Sequence, residues 1–251
     1  MTSARGPAGD DRFDAVVLAG GRASRLGGVP KPTLVVEGAT LEHHALAAAA
    51  DAARTVVVGP EPTSPYTAGS DPARPGGRDV VRTREDPPFG GPVAGLDAGL
   101  RALRRGRTAD AGDGRHAPWV LVLAVDVPRA TGAVPLLRAA VASAGAGTDA
   151  GTEPDGAYLV RDGKAQWLVG LYRHDALRRA LAEVTGADGL AGVAVRQLVA
   201  RLRCLEVPDA EGLSLDVDTW DDVRRLTVGL HEGVAETPAT PGSTRSQEGP
   251  R

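Results

Sequence analysis

Ala15–Leu18 is a wholly apolar run with no polar face, the pattern of a strand buried on both sides of a sheet. It passes directly into a glycine-rich, cation-bearing segment, LAGGRASRLGGVPK over 18–31. The alternation that follows predicts the rest of the domain. An alanine-rich stretch of helical length covers 41–53, then the β-branched run Thr55–Val58 reads as a strand. The pattern recurs as strand Val80–Val81, helix 93–104, strand Trp119–Val125 and helix 131–142. Farther on, Ala157–Val160 and Trp167–Leu171 read as strands, 174–184 and 192–201 as helices, Leu202–Val207 as a strand and 219–227 as a closing helix. Strands alternating with helices imply parallel pairing with right-handed crossovers. The expected class is a three-layer α/β/α, Rossmann-like domain with a mixed, mostly parallel sheet.

A chain of 251 residues buries a sizeable core as one large domain or two small ones. Residues 1–11 and 229–251 lack apolar periodicity and are predicted to be disordered tails, leaving 12–228 as the folded unit. Within it, 60–79, 106–117 and 143–156 share the glycine- and proline-rich composition of surface loops. No apolar run reaches membrane length, and 29 basic against 32 acidic side chains, net −3, give no overall drive toward nucleic acid or an anionic membrane. Any bound phosphate must therefore be held locally. The one cysteine, Cys204, cannot pair within the chain and sits in a predicted strand, so it reads as a buried structural thiol. Without an export-like start, the expected location is the cytoplasm. The five histidines show no metal or triad spacing and read as surface or capping residues, with His174 at a helix start.

Ligands of such sheets collect at the carboxyl ends of strands, and three junctions there carry chemistry. In the first, 18–31, the glycines let backbone N–H groups approach phosphates, while Arg22, Arg25 and Lys31 supply charge. The spacing matches neither a dinucleotide fingerprint nor a P-loop. In the second, Leu121–Pro128, Asp126 at the end of an apolar strand is placed to hold a hard cation. Its competing role as a helix cap is disfavoured because Thr131 stands where it can cap the helix instead. In the third, Asp216-Val217-Asp218 puts two carboxylates on one side of an extended chain, so either could reach the metal or its waters. Thr219 with Asp221 and Asp222 also reads as a plain helix N-terminus.

In this order and spacing the junctions resemble the molybdenum cofactor guanylyltransferase family, within the larger nucleotidyltransferase (NTP transferase) superfamily, over about 13–227. LAGGRASRLGGVPK is similar to that family's LAGGxSxRxGxxK, AVDVP to its strand-end Asp-x-Pro, EDPPFGGPVAG over 85–95 to its acidic residue and GPLAG loop, and DVDTWDDV to its closing NVNTPEDL. The sequence departs from the pattern at Asp218, where the family has Asn, at Gln166-Trp167-Leu168, where a proline usually precedes Leu, and at Gly59, where Asn often follows the strand.

The resemblance implies a nucleotide-binding half, about 12–105, and a metal- and acceptor-binding half, about 118–228. It implies that Leu18, Ala19, Gly20 and Gly21 face the nucleotide, with Asp86 and Gly95 from the second loop. It further implies that Arg25 and Lys31 contact the phosphates and that Asp126, with Asp218 as a second ligand, binds Mg2+. The partners so implied are a nucleoside triphosphate, GTP favoured, and a phosphorylated small-molecule acceptor of molybdopterin type. An acceptor phosphate oxygen attacks the α-phosphorus in line and pyrophosphate leaves, with no protein nucleophile, so Arg25, Lys31 and Asp126 act by positioning and charge. Two other readings stay open: a superfamily transferase with a different nucleotide or acceptor, and a non-catalytic nucleotide-binding protein.

Overall fold

The computed structural model describes residues 10–20, 26–60, 80–105, 116–145, 153–187 and 189–228. Residues 1–9 of the predicted tail 1–11, the predicted tail 229–251 and most of the predicted loops lie outside the described residues. The strands are β1 (Phe13–Leu18), β2 (Val35–Val36), β3 (Ala39–Thr40), β4 (Thr55–Val58), β5 (Val80–Thr83), β6 (Trp119–Ala124), β7 (Gly156–Arg161), β8 (Lys164–Arg173) and β9 (Cys204–Pro208). The helices are α1 (Leu41–Ala48), α2 (Pro92–Arg105), α3 (Ala130–Gly145), α4 (His174–Val184), α5 (Val195–Val199) and α6 (Trp220–Val228). Seven strands form one sheet in the order β5-β4-β1-β6-β8-β7-β9, and β2 and β3 form a separate hairpin.

Every residue of β1 is buried, which explains its unbroken apolar character apart from Asp14. One face of the sheet packs Phe13, Ala15, Leu121 and Leu123 against Ala48 of α1 and Leu137 of α3. The other packs Val16, Val56, Val58 and Val122 against Leu96, Leu100 and Leu103 of α2, with Leu177 and Leu181 of α4 beyond. Full burial of each such Leu or Val contributes roughly 1.5–3 kcal/mol, so the two layers make the domain's core.

Strands β5, β4, β1 and β6 are parallel neighbours, as the strand-helix alternation requires. The mixed character comes from β8, which runs antiparallel to both β6 and β7. Its cause is local: Asp162 and Gly163 both take positive φ, 51° and 70°, in the two-residue turn joining β7 to β8. The Asp-Gly pair makes a hairpin of the two strands expected in succession at 157–160 and 167–171, and so supplies the antiparallel part of the expected mixed sheet.

Several local expectations are corrected. The helix expected over 41–53 ends at Ala48, because the backbone then turns and the Ala53 N–H donates to the Phe13 carbonyl at 2.7 Å. Alanine carries no stop signal, so docking onto β1 sets this end. The helix expected over 192–201 shortens to α5, since Gly192, at φ 76°, donates its N–H to the Gly90 carbonyl at 2.9 Å. Thr131 does not cap α3; the helix already begins at Ala130 and Thr131 is exposed in its first turn. His174 does start α4, but it is buried rather than a surface residue, stacked on His116 with ring centroids 4.5 Å apart. Burial lowers its pKa. Cys204 is half-buried in β9, and burial pushes its thiol pKa up to about 12, in keeping with an inert side chain. No helix among the described residues is long and apolar enough to cross a membrane.

Candidate active site

The carboxyl ends of the central strands are laced together by backbone. The Ala19 N–H donates to the Val58 carbonyl at 2.7 Å, and the Leu18 carbonyl accepts from the Val125 N–H at 3.0 Å. β4 is followed by Gly59, where a Cβ would stand 2.9 Å from the Ala19 carbonyl carbon. The departure from Asn at this position thus has a steric cause: no side chain fits here unless the end of β1 moves.

Above these ends lies a cavity of about 330 Å³, walled by Leu18, Gly20 and Val58, by Glu85 and Phe89, and by Asp126. Gly91, Pro92 and Gly95 bring the start of α2 into its wall. The first N–H groups of a helix have no intrahelical acceptor and favour negative charge. Helix α2 comes this close because Gly95 leaves room for Leu18, whose Cδ2 would lie 3.3 Å from a Cβ there.

A second cavity, of about 490 Å³, opens on the other side of Asp126 and is lined by Trp167, Arg196, Ser214, Asp216 and Asp218. Ala124, Asp126 and Leu168 belong to both walls. An irregularity in β8 shapes this space. Tyr158 pairs with Gly170 and Leu159 with Gln166, so Trp167, Leu168 and Val169 face no partner on β7. Such a bulge re-aims side chains, and all three line the second cavity. The Tyr172 hydroxyl donates to the displaced Trp167 carbonyl at 2.7 Å.

The floor of the second cavity is brought in from the end of the chain. Asp209 accepts from the N–H groups of Leu213 and Ser214, both at 2.8 Å, and from the Ser214 hydroxyl at 2.5 Å. Burial pushes the Asp209 pKa up, but those hydrogen bonds outweigh it and hold the carboxyl below its ordinary value. Val217 is fully buried against Leu26, Leu34 and Leu41, and its N–H donates to the Asp126 carbonyl at 2.9 Å. With Val217 turned inward, Asp216 and Asp218 both face the cavity, as their alternate spacing predicts. Asp216 lies 3.7 Å from Arg161. Thr219 caps α6, donating through its N–H and hydroxyl to Asp222 at 2.8 and 2.7 Å while its hydroxyl accepts from the Asp222 N–H at 3.2 Å.

Lys31 reaches Asp126, the carboxylate common to both walls, and Asp218 of the second. Its Nζ is 2.6 Å from Asp126 Oδ2 and 2.5 Å from Asp218 Oδ1. Burial alone would lower the Lys31 pKa, but the two carboxylates outweigh it and the ammonium titrates above its ordinary value. Burial raises the pKa of Asp126 against the opposing pull of Lys31. Among the described residues no three His, Cys, Asp or Glu side chains form a ready-made metal cluster. Asp126 and Asp218 nevertheless converge on one cationic point, and hard oxygen donors on a single centre suit Mg2+, which completes its shell with water and phosphate oxygens. The residues present fit such an ion.

The structure therefore brings together Leu18, Gly20, Gly95 and Asp126 in one wall, and Lys31, Asp126 and Asp218 in one cluster. Ala19 lies buried behind Leu18. Gly21 and Arg25 lie outside the described residues. In the 85–95 loop it is Glu85 that enters the first cavity, while Asp86 beside it is exposed. Trp167 and Arg196 escaped sequence reasoning as site residues; the bulge that presents Trp167 has no signature in the residue pattern.

Comparison with known proteins bears on this arrangement. No curated protein matches the sequence. Among solved structures, molybdopterin-guanine dinucleotide biosynthesis protein A from Archaeoglobus fulgidus is 18% identical with a TM-score of 0.55, over 87% of this chain and 99% of that one. A nucleotidyl transferase from Methanothermobacter is 21% identical with a TM-score of 0.56, over 88% and 98%. The 2-C-methyl-D-erythritol 4-phosphate cytidylyltransferase from Thermus thermophilus is 20% identical with a TM-score of 0.53, over 88% and 99%. At such identities the likeness is one of fold. The model of the MobA-like NTP transferase domain matches residues 15–205, most of the folded chain, and the protein belongs to that family.

Proposed function

We propose that the protein is a Mg2+-dependent nucleotidyltransferase that moves GMP from GTP to a phosphorylated acceptor of molybdopterin type and releases pyrophosphate. The observation that carries this reading is the convergence of Asp126 and Asp218 on Lys31, with Asp126 lining both cavities, so that a nucleotide in one and an acceptor in the other would meet at that carboxylate. The half built from 12–105 holds the nucleotide and that from 118–228 the acceptor. Leu18, Gly20 and Gly95 leave space for the nucleotide, and the amino end of α2 favours its anionic chain.

Asp126 and Asp218 would hold the ion, which when bound supplies charge neutralisation at the phosphate oxygens. Lys31 and Arg25 would neutralise charge on the departing pyrophosphate. No side chain forms a covalent adduct, because positioning the two phosphates in line accounts for the rate.

Glu85 supports guanine: a carboxylate only accepts, and guanine offers adjacent N–H donors at N1 and N2. The second reading, a different pairing of nucleotide and acceptor within the same chemistry, draws its support from Asp218 standing where the resembled pattern has Asn. Cytoplasm, where nucleoside triphosphates are supplied, is the location that fits this activity.

Pyrophosphate release by the full chain with Mg2+, measured for GTP, CTP, ATP and UTP against molybdopterin and other phosphorylated acceptors, tests the assignment. Release with GTP and molybdopterin is expected. Release with another pair reassigns the substrates, and no release together with no thermal stabilisation by any triphosphate overturns the reading.

A further inference from the structure

Among the described residues Tyr172 is the bulkiest of the fully buried side chains, and two strands give up side chains of their own to seat it. A Cβ at Gly170, two residues back on the same face of β8, would stand 2.6 Å from the Tyr172 hydroxyl oxygen, and one at Gly156, its partner on β7, 2.7 Å from the ring. The ring therefore runs back along β8 toward the bulge and ends at the Trp167 carbonyl, to which its hydroxyl donates at 2.7 Å. That carbonyl needs a donor from outside the ladder, because Trp167 and Leu168 have register partners on neither β6 nor β7. A hydroxyl buried with its ring needs an acceptor just as much. One hydrogen bond meets both needs.

The indole is held as well. Tyr158, which pairs with Gly170, donates its hydroxyl to Glu206 of β9 at 3.0 Å. Burial and Glu206 raise the Tyr158 pKa, and a hydrogen bond from the Trp167 side chain, whose indole can only donate, opposes them. Trp167 is thus tied through its main chain by one tyrosine and through its ring by the other. Neither tyrosine lines either cavity, so whatever they do to a ligand passes through Trp167.

We propose that Tyr172 is a positioning residue for the acceptor: its hydroxyl holds the bulge of β8 and so keeps Trp167 in the wall of the second cavity, while Tyr158 fixes the indole there. The inference rests on the acceptor reading of that cavity. A wall residue fixed in advance costs the ligand no ordering, and that saving is what loss of the hydroxyl removes.

Tyr172→Phe keeps the ring in its seat and removes only the hydroxyl. In a full chain carrying Trp119→Phe and Trp220→Phe, Trp167 is the sole tryptophan, and its fluorescence reads the indole directly. Tyr172→Phe and Tyr158→Phe should each make that emission redder and more readily quenched by acrylamide. With the other tryptophans in place, Tyr172→Phe should raise the KM of the acceptor that gives the fastest pyrophosphate release, molybdopterin on the reading above, about fivefold, and leave the nucleotide KM and kcat within about twofold. Val141→Ala, a truncation in α3 on the opposite face of the sheet, should melt lower without moving either KM. Unchanged indole emission in Tyr172→Phe overturns the positioning role, as does a rise of both KM values together or an acceptor KM that Val141→Ala moves as far. A wild type for which no acceptor supports pyrophosphate release defeats the acceptor reading, and the inference falls with it.

Discussion

The two cavities that meet at Asp126 are made of different materials. On the Phe89 side, the walls are set by parallel strand ends tied through backbone, with Gly59 and Gly95 allowing main chain and helix to approach closely. On the Trp167 side, the walls are side chains, raised by the bulge in β8 and by the 209–218 segment that Asp209 folds. A backbone-built cavity changes little when surface residues change, while a cavity built of side chains is remade by single substitutions. On the function proposed above, members of one family could share a nucleotide site and differ in what they accept.

The largest effect should come from the residue common to both walls. Asp126→Asn keeps the shape but removes charge from the point shared with Lys31, so pyrophosphate release should fall by about 100-fold or more with little change in melting temperature. Near-wild-type turnover at saturating Mg2+ would take Asp126 out of the reaction. Lys31→Ala should lose turnover on a similar scale, and Asp218→Asn less, since the Asn form is the family's own.

Next come substitutions that should act on one side only. Trp167→Ala should raise the acceptor KM about tenfold and leave that of the nucleotide alone. Gly59→Ala places a methyl against the Ala19 backbone and should do the reverse, at a stability cost of about 1–3 kcal/mol. Were either variant to move both KM values together, the cavities would be coupled, and the contrast between their materials would lose its functional meaning.

The smallest effect concerns the anchor of the side-chain wall. The native pKa of Asp209 lies below its ordinary 3.8, so its contribution to stability is complete above that value and fades as pH falls through the native one. Asp209→Asn should cost about 1–2 kcal/mol at pH 7, with the gap to wild type closing in acid. A gap independent of pH would show that shape, rather than charge, holds the segment.

The same contrast explains what could be read before the structure was seen. Ala15–Leu18, Thr55–Val58 and Trp119–Val125 announce themselves because burial on both faces demands unbroken apolar runs; Asp126 follows as the residue after the last of them and Lys31 as the close of the glycine-rich segment after the first. Trp167–Leu171 is legible as a strand, but the direction of β8 depends on the Asp162-Gly163 turn rather than on its own apolar run. Thr131 offered a local capping signal that Ala130 overrode. Glu85 and Asp86 are indistinguishable by type, and only the path of the loop decides which enters the cavity. Trp167 depends on a register shift, and His174 is buried by stacking on His116, a contact no spacing encodes.

The last strand of the sheet ends at Pro208, but the charged cluster waits for Asp218. During synthesis the chain therefore passes through a stage in which all seven strands exist and Lys31 has only Asp126 to hold. The segment that completes the cluster is fastened by Asp209, by Leu213 and Val217, by Arg161 and Lys31 on its two carboxylates and by the hydrogen bond to the Asp126 carbonyl, ties made from outside the sheet's ladder, so it is expected to open locally while the sheet stays closed. Activity should disappear in mild denaturant before the sheet unfolds, and proteolysis within 209–218 would silence a molecule that still looks folded.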